Sequence, residues 1–269
     1  MNILEKIVAY KREEVAVRKM MVTEDELKET IYFSRPCLSL RANLAKSGST
    51  GIITEFKRKS PSKGFINQHA DVAAVSKAYT QYGASGLSVL TDHEFFGGST
   101  EDLVSARQNT IPILRKDFII DPYQVLAAKA MGADVILLIA ACLSRTEVNK
   151  LAQLAKSFGL EVLLELHDDS ELRHISDAID MVGVNNRNLK TFKVDIQQSL
   201  VLGDRIPIEK IKIAESGIDN VETVKRFKEA GFKGFLMGEK FMKSTDPGEA
   251  FRMFMEELNP NDRKDKKNI

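Results

Sequence analysis

The chain has 269 residues, 43% of them hydrophobic and 29% charged, and Lys+Arg 39 against Asp+Glu 38 gives a formal net charge of +1. So weak a global field recruits neither nucleic acid nor an anionic membrane, which excludes both as expected partners and leaves any ligand to be argued from local charge. Cys37 and Cys142 lie far apart with no CxxC spacing, suggesting neither a disulfide framework nor a zinc knuckle, so a reducing, cytoplasmic setting is the expectation.

From Ile3 through Val17, the residues Ile3, Leu4, Ile7, Val8 and Val15 recur at roughly helical spacing, with Glu, Lys and Arg on the opposite side. This predicts a surface helix packed on the body, and its mixed charge argues against a secretory signal. No stretch approaches the length of a membrane span. Thr23 followed three residues later by Glu26 is a capping-box pattern that predicts a second, short helix through Thr30. Arg35-Pro36 interrupts it, and Leu38, Leu40 and Leu44 predict another helical turn before Gly48. Residues 1–48 thus read as a helical extension without a strand.

After Gly51 an apolar strand followed by an amphipathic helix recurs at roughly 25-residue intervals, the period of βα units. Strands are predicted at 51–56, 86–91, 112–117, 134–140, 161–166, 181–185, 210–215 and 234–238. Helices are predicted at 72–82, 100–108, 122–131, 145–158, 170–178, 195–202, 221–230 and 247–258. Gly83, Gly132, Gly159 and Gly231 stand where a helix ends and a strand begins, the place of a left-handed helix terminator. Eight such units, with near-continuous apolar strands such as DVILLIA, predict an α/β fold: a closed (β/α)8 TIM barrel over 49–258, forming one domain (1–258) with the N-terminal extension. An open sheet would have fewer strands and an early glycine-rich dinucleotide turn, and no GxGxxG occurs. The polar tail 259–269 has no core-forming face and is expected to be disordered.

In a barrel the chemistry collects at the C-terminal strand ends. Those ends supply Glu55 and Lys57, Lys116, Glu165, Asn185 and Arg187, Glu215 and Ser216, and Gly238. Lysines facing glutamates in a low-dielectric mouth have shifted, coupled pKa values, as general acid and base work near neutral pH requires. Each residue also has a plainer reading. Lys116 is either catalytic or half of a structural pair with Asp117, though a strand turns only one of the two inward. Glu165 is either a base or the salt-bridge partner of a barrel lysine. Glu215 leans toward a structural or substrate-orienting part. Arg187 either belongs to a turn of αL-tolerant asparagines or binds a carboxylate or phosphate in bidentate fashion. Ser216-Gly217 and Gly238-Glu239 place exposed backbone N–H groups on the two loops where such barrels hold phosphate, with Lys57 and Ser60 closing the ring. Of the histidines, His167 reads as a loop residue rather than a ligand, and no metal is called for.

The strings EFKRKSPSKG, LTDHEFFGGS, LRKDFIIDPYQV, LELHD, VGVNNRNL, AESGI and FLMGE, in this order and on these strands, closely resemble the indole-3-glycerol-phosphate synthase family of tryptophan biosynthesis, from about residue 30 to 258. The resemblance implies a cofactor-independent lyase. It would convert 1-(2-carboxyphenylamino)-1-deoxyribulose 5-phosphate to indole-3-glycerol phosphate with release of CO2 and water, and would work as a monomer or weak oligomer on this phosphorylated small molecule. By matched position Lys116 resembles the general acid for ring closure and Glu165 the base of the later dehydration, with Lys57 beside the substrate and sharing acid work. Glu55, Asn185, Glu215 and Ser216 would orient these groups and the substrate hydroxyls. Ser60, Arg187, Gly217, Gly238 and Glu239 would surround the substrate anions, and Arg58, Lys59 and Lys63 would only tune the loop. Asn188 stands where the family usually has Asp, and Lys240 where it has a small residue. Two other enzyme classes fit these residues less well. A phosphoribosylanthranilate isomerase would need a Cys and Asp pair at strand ends, and a Schiff-base aldolase would use Lys116 as nucleophile. A non-catalytic phosphate-binding barrel would have lost part of the Lys/Glu ring, which here is complete.

Overall fold

A computed structural model describes residues 2–187 and 193–259, so Asn188 and the tail beyond 259 lie outside the described residues. Eight parallel strands close into a barrel: β1 (Ile52–Phe56), β2 (Gly86–Leu90), β3 (Ile113–Lys116), β4 (Val135–Ile139), β5 (Glu161–Leu166), β6 (Met181–Asn185), β7 (Ile211–Glu215) and β8 (Gly234–Met237). Each pairs with its sequence neighbours, and β1 closes the ring against β8 through Ile52 opposite Phe235 and Ile53 opposite Leu236. The predicted strands agree with these to within one residue at either end. Gly83, Gly132, Gly159 and Gly231 all have φ between 74° and 92°, as a left-handed helix terminator requires.

Strand alternation sorts the side chains into two populations. Ile53, Leu114, Val135, Leu137, Leu163, Met181, Ile213 and Leu236 fill the barrel, whereas Ile52, Val89, Ile136, Val162, Val182 and Phe235 pack outward against the helices. The inward series changes character along the strands. Ile53 is followed two residues later by Glu55, Leu114 by Lys116, Leu163 by Glu165, and Ile213 by Glu215. The barrel is therefore oily at its floor and charged at its mouth.

The N-terminal extension is helical as expected: α1 (Ile3–Met21), α2 (Glu24–Lys28) and α3 (Leu40–Ala45). The predicted capping box starts α2, with the Thr23 N–H donating to Glu26 Oε2 at 2.7 Å and the Glu26 N–H to Thr23 Oγ1 at 3.2 Å. Helix α3 plugs the floor. Its Leu40 and Leu44 join the barrel-interior core, and Leu40 Cδ1 comes so close to Gly86 that a Cβ there would stand 2.6 Å away.

One local expectation needs correction, and two short elements were not predicted. The helix predicted at 170–178 is a 3-10 helix over Asp169–His174, because Asp168 caps Ser170 and the chain turns into β6 before an α-helix can propagate. The turn after Gly238 is a short helix, Glu239–Met242. The loop after β1 contains a two-residue hairpin, Lys59–Ser60 against Gly64–Phe65, too short for periodicity to reveal. Among the described residues, no helix is long and apolar enough to cross a membrane.

Candidate active site

The mouth of the barrel opens into a cavity of about 540 Å³, and all twelve residues proposed from the sequence line it: Glu55, Lys57, Ser60, Lys116, Glu165, Asn185, Arg187, Glu215, Ser216, Gly217, Gly238 and Glu239. Lys116 is its centre. The Lys116 Nζ lies 2.5 Å from Glu215 Oε2 and 3.2 Å from Glu165 Oε2, so one ammonium bridges carboxylates from β5 and β7. Asp117, on the opposite face, pairs instead with Arg115 and Lys11, which separates the two readings the sequence left open for Lys116.

Burial opposes the charge on Lys116, but Glu215, Glu165 and Glu55 outweigh it and hold the ammonium above its ordinary pKa of 10.5. Burial likewise opposes ionisation of Glu165, yet Lys116, His167 and Asn185 reverse the balance and keep its carboxyl below the usual range. Glu215 goes the other way. Burial, reinforced by repulsion from Glu165 and Glu55, pushes it up to about 7 in spite of Lys116. Two carboxylates sharing one cation titrate as a coupled pair, in which Glu165 is the one favoured ionised and Glu215 the one favoured protonated.

The remaining partners fix geometry. Asn185 Nδ2 donates to Glu165 Oε1 at 2.9 Å, while its own Oδ1 accepts from the Arg187 N–H at 3.0 Å. Glycine makes room for the acids: a Cβ on Gly183 would stand 2.1 Å from Glu215 Oε1, and one on Gly238 would stand 2.7 Å from Glu55 Cβ. Glu215 Oε1 and Ser60 Oγ are buried without a hydrogen-bond partner, an arrangement a folding-only core would avoid. Ser216 adopts φ 66°, an uncommon left-handed conformation for a non-glycine residue, and Asn186 Nδ2 braces it by donating to the Ser216 carbonyl at 2.6 Å.

The basic cluster after β1 sends its side chains in different directions. Lys57 Nζ lies 2.5 Å from Glu55 Oε1 in the mouth. Arg58 turns away to Asp102 and sits 4.7 Å over the Phe56 ring, and Lys59 Nζ donates to the Glu94 carbonyl. Lys63 reaches Glu239 at 3.4 Å, where Lys243 and Arg187 also converge.

His167 stands in the loop directly after β5, as read from the sequence, but its contact with Glu165 was not foreseen. Its Nε2 lies 3.1 Å from Glu165 Oε1, and Glu165 and Glu171 more than offset burial to raise its pKa above 6.5. The signal was present, since His167 follows Glu165 by two residues and so falls on the same side of the chain. The apolar wall of the cavity was also missed: it includes Phe96, Phe118 and, from α1, Ile3, Leu4 and Ile7.

The sequence profile of the Indole-3-glycerol phosphate synthase family matches residues 4–254. The chain belongs to this family. An indole-3-glycerol phosphate synthase of Bacteroides thetaiotaomicron is 48% identical over 258 residues, covering 96% of this chain and 99% of the relative. Those of a Polaromonas species and of Bordetella pertussis are 44% and 42% identical, over 93% and 92% of this chain and 96% of each relative. Solved structures show the same barrel at low identity. The 3-hexulose-6-phosphate synthase of Salmonella typhimurium matches with a TM-score of 0.61 at 15% identity, over 78% of this chain and 99% of that one. The thiamine phosphate pyrophosphorylase of Pyrococcus furiosus matches with a TM-score of 0.58 at 16% identity, over 82% and 99%. At such identities the likeness speaks for the fold alone.

Proposed function

We propose that the mouth carries out its family's ring closure, with Lys116 as the proton donor. The substrate is 1-(2-carboxyphenylamino)-1-deoxyribulose 5-phosphate and the products are indole-3-glycerol phosphate, CO2 and water. As the ring carbon bearing the carboxylate attacks the ketone, negative charge grows on the ketone oxygen and must be met by a proton. The observation that supports this assignment is the clamping of Lys116 between Glu165 and Glu215, which keeps it an ammonium. A donor must hold its proton until the transition state asks for it. Loss of CO2 then restores aromaticity in the ring.

Dehydration needs a base, and Glu165 is the carboxylate held ionised, steadied by Asn185 and His167. Glu215, titrating near neutrality, suits the return of a proton to Lys116 between steps. Lys57, braced by Glu55, and Arg187 would meet the substrate carboxylate and phosphate. The Ser216-Gly217 and Gly238 turns would present backbone donors to the phosphate, with Ser60 Oγ beside them. The Glu239 side chain, itself anionic, would hold Lys63 and Lys243 in place rather than touch the phosphate. Residues 1–258 would act as one domain, a reading supported by the packing of α3 into the barrel floor.

A clamped ammonium also disfavours the aldolase-like alternative, since Schiff-base formation starts from a neutral amine. Borohydride added during turnover should therefore leave Lys116 unmodified while CO2 is released one-for-one with substrate consumed. A reduced adduct on Lys116 would replace acid catalysis with covalent catalysis.

A further inference from the structure

Lys11, on α1, is 1% exposed and no step above uses it, yet its ammonium lies 2.7 Å from Glu14, 2.9 Å from Asp92 and 3.0 Å from Asp117. A buried lysine facing three carboxylates is costly to desolvate and anchors whatever its partners belong to. Glu14 is on α1 itself, and the other two, Asp92 and Asp117, sit on two loops of the mouth. Asp117 directly follows Lys116 at the end of β3; its Oδ1 also accepts from the Phe118 N–H at 2.8 Å, and its Oδ2 accepts from Thr91 Oγ1 at 2.6 Å. Asp92 follows β2, and its Oδ1 accepts from the N–H groups of Phe95 and Phe96 at 2.8 and 3.2 Å.

The second loop leads on to β1. The Phe96 carbonyl accepts the Lys59 N–H at 3.2 Å and the Glu94 carbonyl accepts Lys59 Nζ at 2.8 Å, two residues beyond Lys57. One ammonium thus joins, through Asp117, the strand end bearing Lys116 and, through Asp92 and the 92–96 turn, the segment bearing Lys57. On the same face of α1, Leu4 and Ile7 stand seven and four residues before Lys11 and line the cavity.

We infer that Lys11 is a positioning residue that sets the two lysine-bearing loops in register with each other and with the end of α1 that lines the cavity. The inference rests on the functional reading above for its kinetic consequence, but not for the linkage itself. Its charge matters more than its bulk, since an apolar side chain of similar length could pack against α1 without holding either aspartate.

Lys11→Met tests this against Arg107→Met, which removes a buried cation of the Asp134 cluster at the opposite end of the barrel. Both variants should lose thermal stability. Assayed well below either Tm, Lys11→Met should lose roughly ten- to hundredfold in kcat, the scale expected when reacting groups shift by a fraction of an ångström to an ångström, while Arg107→Met stays within about twofold. If Lys11→Met does not fold, Asp92→Asn, which keeps the acceptor for the 95–96 amides, should give a smaller loss in the same direction. Amide hydrogen exchange supplies a readout independent of turnover: residues 95–97, Lys59 and Phe118 should exchange faster in the Lys11 or Asp92 variant and not in Arg107→Met. Unchanged exchange at these amides, or equal kinetic losses in the floor and mouth variants, overturns the inference. A wild-type protein that ignores the substrate would overturn the functional reading instead, and the exchange comparison would still decide the linkage.

Discussion

Both ends of this barrel bury charge, but they treat it differently. At the floor each Asp134 oxygen has two donors: Arg35 and the Leu38 N–H on Oδ1 at 2.5 and 2.8 Å, Arg107 and the Ile113 N–H on Oδ2 at 2.5 and 2.8 Å. At the mouth Glu215 keeps one oxygen without a partner, Ser60 Oγ is unpaired, and two acids share Lys116. Asp134, satisfied at both oxygens although Arg35 Nε beside it has no partner, ties elements together, whereas Glu215 and Ser60 keep bonding capacity for something that arrives later. The floor is built to hold α3 and the loops before β3 and β4, and the mouth is built to receive an anionic, reacting molecule.

Four changes would break or sharpen this contrast. The largest effect is expected for Lys116→Ala: turnover should fall by about 10²-fold or more with substrate binding largely kept, as steady-state kinetics and direct binding would show. Near-wild-type turnover would remove Lys116 from the chemistry. Glu165→Gln should cost a similar or somewhat smaller factor, about 10²-fold, and stall the reaction after ring closure, so that rapid quench reveals a species that has formed the new bond without losing water. Quenched samples containing only substrate and product would count against a base role for Glu165.

At the floor the expected effect is on folding. Arg107→Met leaves Asp134 to Arg35 and two backbone N–H groups and should cost about 2–3 kcal/mol in denaturant unfolding, with turnover kept below the new Tm. A drop in kcat comparable to that of the mouth variants would dissolve the division between the two ends. The smallest effect concerns pH. Glu215 is raised from 4.5 to about 7, so the folded state favours its protonated form, and the stability this contributes below pH 4.5 is lost as pH rises through 7. Glu165 has the opposite sign, its contribution being present above the usual carboxylate range and lost on acidification. Glu215→Gln should flatten the dependence of Tm on pH between about 5 and 7, and an unchanged slope would place that titration elsewhere.

The barrel was legible because its signals are local and repeated. Apolar runs recur in every unit, with glycine terminators at Gly83, Gly132, Gly159 and Gly231, so β1 to β8 could be drawn before any coordinates. The mouth residues were legible for the same reason: Glu55, Lys116, Glu165 and Glu215 each break an apolar alternation at the same height. What escaped were relations between distant segments. Lys11 reads as one more charge on an amphipathic helix, and only the fold brings Asp92 and Asp117 to it. Alternation already separates Asp117 from Lys116 in the sequence, but only the fold shows that Asp117 pairs with Arg115 and Lys11. The 3-10 helix at 169–174 was misread because propensity favoured an α-helix and the capping at Asp168, with β6 close behind, decided otherwise.

If this mouth makes indole-3-glycerol phosphate, the protein suits a direct optical test, because the chain contains no tryptophan. Purified protein mixed with 1-(2-carboxyphenylamino)-1-deoxyribulose 5-phosphate at neutral pH should generate indole absorption and fluorescence free of tryptophan emission from the protein, and the Lys116→Ala variant should suppress the rise. A folded wild-type protein that leaves the signal flat across neutral pH would contradict the account.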